Sequence, residues 1–127
     1  MEPLLFRARR ILVYVENLSA AVAYYRDVLG FKPLSGVDGV NFEFATSGVP
    51  LVLHRGGRPT EKPGEVAGVV PSFQVESGIP ELMERYRQRD VRIVREIQEV
   101  AHGWIAFIAD LEGNVIQIYQ AKEGTRQ

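Results

Sequence analysis

The sequence contains no cysteine. Disulfides, thiolate metal sites and cysteine nucleophiles are therefore excluded. It contains only two histidines, His54 and His102. No apolar run approaches the roughly 20 residues of a membrane-spanning helix. Charge of one sign is also missing: 15 Lys and Arg face 16 Asp and Glu, for a net charge of -1. That balance argues against nucleic acid or an anionic membrane as the main partner. The first ten residues, MEPLLFRARR, place their charges after the short apolar stretch. This is the wrong order for a signal peptide, so a cytoplasmic location is the expectation.

What is present suits one compact domain: 127 residues with an ordinary apolar fraction of 46%. The stretch from Arg9 to Asn17 is β-branched and aromatic, with Ile11, Val13 and Val15 alternating against Leu12, Tyr14 and Glu16. Both sets are fairly apolar, which predicts a strand covered on both faces. Leu18, Ala21, Val22, Tyr25, Val28 and Leu29 then recur at helical spacing. Asn17 or Ser19 can cap that helix and Gly30 can end it. Short strands are predicted at Phe31 to Ser35, Val40 to Ala45 and Pro50 to Arg55, separated by VDG and TSG turns. Residues 56–65, GGRPTEKPGE, read as a linker.

The second half repeats the plan. Val66 to Val75 predicts a strand, and Ile79, Leu82, Met83 and Tyr86 a helical face, with Pro80 in the first turn. Strands follow at Val91 to Ile97, Trp104 to Ala109 and Asn114 to Gln120. Val15-Glu16 aligns with Val75-Glu76, and Leu51 to Arg55 aligns with Ile116 to Gln120. The chain is thus two β-α-β-β-β modules, 8–55 and 66–121, of one α+β domain. A doubly wound layout does not fit, because 31–55 and 91–120 have no room for crossover helices.

Two segments carry a family resemblance. Val15 to Phe31, with Tyr24, Tyr25, Leu29, Gly30 and Phe31 as its anchors, resembles the strand–helix segment of the vicinal oxygen chelate superfamily, which includes glyoxalase I, extradiol dioxygenases and the bleomycin resistance proteins. Asp110 to Asn114, DLEGN, resembles that family's D-P-x-G-N turn, with Leu111 in the proline's place. The resemblance implies that the two modules form a curved mixed sheet around a cleft. It also implies a homodimer with a small-molecule ligand, folded back or with modules exchanged.

In the family's metal enzymes, one ligand lies at the start of each module's first strand and one in its last strand. Carried onto this chain, the four positions are Arg10, Val52, Val70 and Gln117. Arginine offers no lone pair and repels a cation, and valine has no donor atom. A single Gln carbonyl does not hold a transition metal. The expectation is that the inherited metal site is lost and no cofactor is used.

Other residues keep chemistry open. His54 shares parity with Val52 and lies near Glu43, so a divalent ion at His54 is one alternative and a histidine hydrogen-bonding a neighbour or ligand is another. Arg10 can bind a carboxylate, phosphate or enolate, or pair with Glu43. Ser72 shares Val70's parity. Trp104 can cover a planar ligand or sit in a core or dimer interface. Leu12, Tyr14, Phe42, Phe44, Trp104, Phe107 and Tyr119 are candidate lining, though strand parity cannot seat all of them in one cleft. The candidate site is therefore Arg10, Leu12, Glu43, Val52, His54, Val70, Ser72, Trp104, Gln117 and Tyr119.

Three functions follow. The first is a metal-free protein that binds a small organic molecule, as in the bleomycin-resistance branch. The second is a lyase, isomerase or dioxygenase using a non-standard metal site or acid–base chemistry by His54, Glu43 or Tyr119. The third, a regulatory module without turnover, has no residue that selects it.

Overall fold

The computed structural model describes residues 2–57 and 59–123. Arg58 of the linker therefore lies outside the described residues, as do Met1 and 124–127. The first module runs β1 (Ile11–Tyr14), α1 (Leu18–Ala23) with a π-helical continuation (Tyr24–Leu29), β2 (Lys32–Val37), β3 (Asn41–Ala45) and β4 (Leu51–His54). The second runs β5 (Ser72–Gln74), α2 (Ile79–Gln88), β6 (Arg92–Val100), β7 (Gly103–Ala109) and β8 (Val115–Ala121). Each module makes a four-stranded mixed sheet. The orders are β1-β4-β3-β2 and β5-β8-β7-β6, with β1/β4 and β5/β8 parallel and the other pairs antiparallel. This is the α+β layout of two β-α-β-β-β units.

Strand alternation gives each sheet a helix-covered face and an open face. Val13, Leu51, Leu53 and Phe44 of the first sheet, and Ala106, Ile108, Ile116 and Ile118 of the second, pack with Tyr25, Leu29, Met83 and Tyr86 in one core. The helical apolar spacing thus points at the strands' buried parity. The core spans both modules: the Tyr86 hydroxyl donates to the Leu29 carbonyl at 2.8 Å, and the Phe31 and Phe73 rings meet edge to face at 5.0 Å.

Three elements differ from the sequence expectation. The spacing over 18–29 predicts one α-helix, but the winding widens at Tyr24. Tyr25 is fixed there by a hydroxyl bond to Asp110, a tertiary constraint that local spacing does not reveal. The predicted strand Val66 to Val75 shrinks to three residues. Gly68 has a positive φ of 57° and Pro71 has no N–H, so only Ser72–Gln74 join a ladder. The outer face of β1 is also not covered: Leu12 and Tyr14 remain 46% and 38% exposed.

The DLEGN turn clasps the modules together. One oxygen of the buried Asp110 carboxylate accepts from the amides of Glu112 and Asn114 at 2.9 and 2.8 Å. The other accepts from the Tyr25 hydroxyl at 2.7 Å and the Asn114 side chain at 2.9 Å. Glu112 reaches across to the backbone N–H groups of Glu16 and Asn17, at 2.7 and 2.8 Å, where α1 begins. Burial, reinforced by the Asp110 charge, pushes the Tyr25 phenol well above its usual pKa. Burial similarly raises Tyr86 to about 12.

Candidate functional site

The open faces carry most of the candidate residues. In the first sheet, Leu12, Val52 and Glu43 stand in one cross-strand row, followed by Tyr14, His54 and Asn41 in the next. Val52 is 1% exposed, while Leu12 stays half open beside it. Arg10 shares this parity. Its Nε is shielded from solvent and makes no hydrogen bond among the described residues, and no ion pair joins it to Glu43. The His54 ring contacts the Arg55 carbonyl through Nδ1 and meets the Tyr14 ring edge-on at 5.7 Å. Glu43 and His54 form no ion pair with each other.

In the second sheet the matching row is Ser72, Gln117, Phe107 and Arg95. The Ser72 hydroxyl donates to Gln117 Oε1 at 2.5 Å, which leaves the Gln117 amide N–H groups as donors. Gln74 and Tyr119 follow in the next row, the counterparts of Tyr14 and His54. The Tyr119 hydroxyl donates to the His102 carbonyl at 3.0 Å. Val70 precedes β5 and meets Leu12 and Tyr14 across a seam hollow of about 250 Å³ between the sheets.

Trp104 does not join these residues. It shares parity with Ala106 and Ile108, packs against the helix-side core, and lies on the opposite face from Gln117. Phe42 and Phe44 also belong to that side, and Phe44 is fully buried. Conversely, Arg95 is a residue that sequence reasoning missed. Its guanidinium sits 5.3 Å above the Phe107 ring on the open face. Register shifts on both sides of Arg95 break the alternation of β6, so parity counting from Val91 does not find it.

A metal fits these positions poorly. Among the described residues no three His, Asp or Glu side chains gather where they could hold an ion. The four positions that the family resemblance assigns to ligands supply a guanidinium, two isopropyl groups and a carboxamide already hydrogen-bonded to Ser72.

Residues 7–118 match the sequence profile of the Glyoxalase/Bleomycin resistance protein/Dioxygenase superfamily. The chain belongs to that superfamily. Among curated proteins, no sequence matches it. Solved structures of the superfamily share its fold across nearly the whole chain. One is a glyoxylase/bleomycin resistance protein/dioxygenase domain from Frankia sp. EAN1pec, with 23% identity, coverage of 95% of this chain and 96% of that one, and a TM-score of 0.73. Another, a glyoxalase/bleomycin resistance protein/dioxygenase from Alicyclobacillus acidocaldarius, has 14% identity, 92% coverage of each chain and a TM-score of 0.75. Lactoylglutathione lyase from Agrobacterium tumefaciens has 19% identity, coverage of 90% and 92%, and a TM-score of 0.65. At these identities the likeness is one of fold. No helix among the described residues is long and apolar enough to cross a membrane.

Proposed function

We propose that this superfamily member binds a small organic molecule against the open sheet faces without a metal, and that a second copy of the chain completes the cleft. The observation that carries this reading is the chemistry at the four inherited ligand positions, where no anionic or imidazole donor stands at Arg10, Val52, Val70 or Gln117. A guanidinium with an unpaired, shielded Nε–H at Arg10 favours a ligand that presents a hydrogen-bond acceptor, such as a carboxylate or enolate oxygen. Gln117 adds neutral donors, and Leu12 and Tyr14 add apolar surface. Leu12, Tyr14, Val37 and Val69 are all open to solvent in the single chain, which supports burial against a partner copy or a ligand.

The test is metal analysis of the purified protein together with a thermal-shift screen of small oxygenated compounds before and after exhaustive chelation. A ligand that binds only the native state raises Tm. Under this reading the shift survives chelation and falls in Arg10→Gln. A stoichiometric divalent ion lost in His54→Ala would overturn it, in favour of a lyase, isomerase or dioxygenase with a relocated metal site. Sedimentation velocity reads the homodimer, and a monomer at all concentrations removes that part of the reading.

A further inference from the structure

The two modules are related by an approximate repeat, yet the clasp that joins them occurs once among the described residues. In the second module, Asp110 closes its own turn and reaches Tyr25, while Glu112 reaches the start of α1. The mirror-image clasp would run from the β3–β4 turn of the first module to α2. Pairing register places Thr46 where Asp110 stands, because Phe44↔Leu51 corresponds to Ile108↔Ile116. The helices begin at Leu18 and Ile79, which places Tyr86 where Tyr25 stands, with Arg85 beside it.

Thr46 does half of the work of Asp110. Its hydroxyl donates to the Val49 carbonyl at 2.6 Å and accepts from the Gly48 amide at 3.0 Å, so the turn is closed. No acid occurs anywhere from Ala45 to Pro50, so no carboxylate reaches α2. In place of a clasp there is a hollow of about 550 Å³. Its walls include Ile11, Leu29, Phe31, Phe73 and Leu82, and Lys32 and Arg85 are the cations that line it. Neither cation forms an ion pair or a side-chain hydrogen bond among the described residues.

We propose that this hollow, which lies mainly on the helix-covered side and reaches the open face only at Ser72 and Gln74, binds an organic carboxylate with an apolar body. The carboxylate takes the place of the acid that the first module's turn lacks and pairs with Arg85, with Lys32 adding charge. The body packs on Phe31, Phe73 and Leu82. The volume falls within the roughly 300–1,000 Å³ range of small-molecule sites.

The probe is 3-phenylpropionate, with 3-phenylpropanamide as its uncharged isostere, followed by ¹H–¹⁵N correlation spectra of the full chain. Expected are saturable shifts at Phe31, Ser47, Leu82 and Arg85, with the amide binding at least about tenfold more weakly. Arg85→Met should cost the carboxylate about tenfold in affinity and leave binding of the amide unchanged. Thr46→Asp, which returns an acid to the turn, should compete with the probe and weaken it. Equal binding of acid and amide, indifference to Arg85→Met and Thr46→Asp, or no saturable shift would overturn the proposal. Shifts confined to Leu12, Val52 and Gln117 would also overturn it and would instead favour the open-face site. Arg10→Gln, which weakens a ligand of the open face, should leave binding in the hollow unchanged.

Discussion

Removing the Tyr25 hydroxyl tests whether the DLEGN turn holds the modules together. In Tyr25→Phe the ring stays and one hydrogen bond to a buried carboxylate goes. The Tyr25 side chain is fully buried and the bond is 2.7 Å, so water does not replace the lost donor. Asp110 keeps its other three donors. Hydrogen bonds to charged groups are worth about 1.5–3 kcal/mol, so the expected loss is about 2 kcal/mol. Taking roughly 2.1 cal/mol/K per residue for the unfolding entropy, that loss lowers Tm by about 7 °C. Urea denaturation gives the free energy. A double-mutant cycle with Asp110→Asn should return a coupling of about 1–2 kcal/mol for the pair. Tyr24→Phe is the control, since that hydroxyl makes no hydrogen bond among the described residues, and it should cost less than about 0.5 kcal/mol. A Tyr25→Phe variant as stable as the parent, or a coupling near zero, would refute the clasp as an energetic feature.

Other outcomes follow from the same geometry. Gln117→Glu alone should not create a metal site, because Arg10, Val52 and Val70 still offer no ligand; tight divalent-ion binding by calorimetry would show that the strand register has been misread. Gly30 and Gly113 both have φ near +89°, but a side chain at Gly30 meets open space whereas one at Gly113 strikes Pro63 at 2.3 Å. Gly30→Ala should therefore cost about 1 kcal/mol and Gly113→Ala about 2 or more, read by chemical denaturation. Tyr25 and Tyr86 have folded-state pKa values raised above the ordinary 10.0, Tyr86 to about 12. Their contribution is intact below pH 10. Above it the unfolded chain ionises first, so stability should fall by about 1.4 kcal/mol per pH unit for each tyrosine up to its folded value. Tyr86→Phe should flatten that alkaline slope between pH 10 and 12, and an unchanged slope would show that Tyr86 ionises freely in the fold.

Most of the architecture is legible in the sequence because each module has the same two periodicities in the same order. The spacing of Leu18, Ala21 and Tyr25 sets a helix, and the alternation of Ile11, Val13 and Val15 sets a strand whose buried parity faces it. The misreadings occur where long-range partners decide. Val66 to Pro71 look strand-like, but among the described residues only the Pro71 carbonyl bonds to a strand, accepting from the Gln117 amide of β8. Trp104 can read as ligand cover or as core or interface packing, and its parity with Ala106 and Ile108 sets it against the helix-side core. Parity does place Arg10, Leu12, Glu43, Val52 and His54 on one face, and Ser72, Gln117 and Tyr119 on the corresponding face of the other sheet. Arg95 escapes it because bulges reset the count. The role of Asp110 as a bridge to Tyr25, 85 residues away, has no local signature beyond the motif itself.

The clasp has a consequence for assembly. Its Tyr25–Asp110 and Glu112–α1 bonds join atoms of the second module to atoms of the first, and none of these depends on both modules belonging to the same chain. Two chains that exchanged modules would keep the Tyr25–Asp110 and Glu112–α1 contacts unchanged. What favours the folded-back form is then the effective concentration set by residues 56–65, together with the way that segment is fastened: the Gly64 amide donates to the Gly113 carbonyl at 2.7 Å, on the clasp itself. If chains exchange modules, linker length and protein concentration govern the balance between closed units and exchanged pairs. Shortening the linker would move it without altering a single contact in the core.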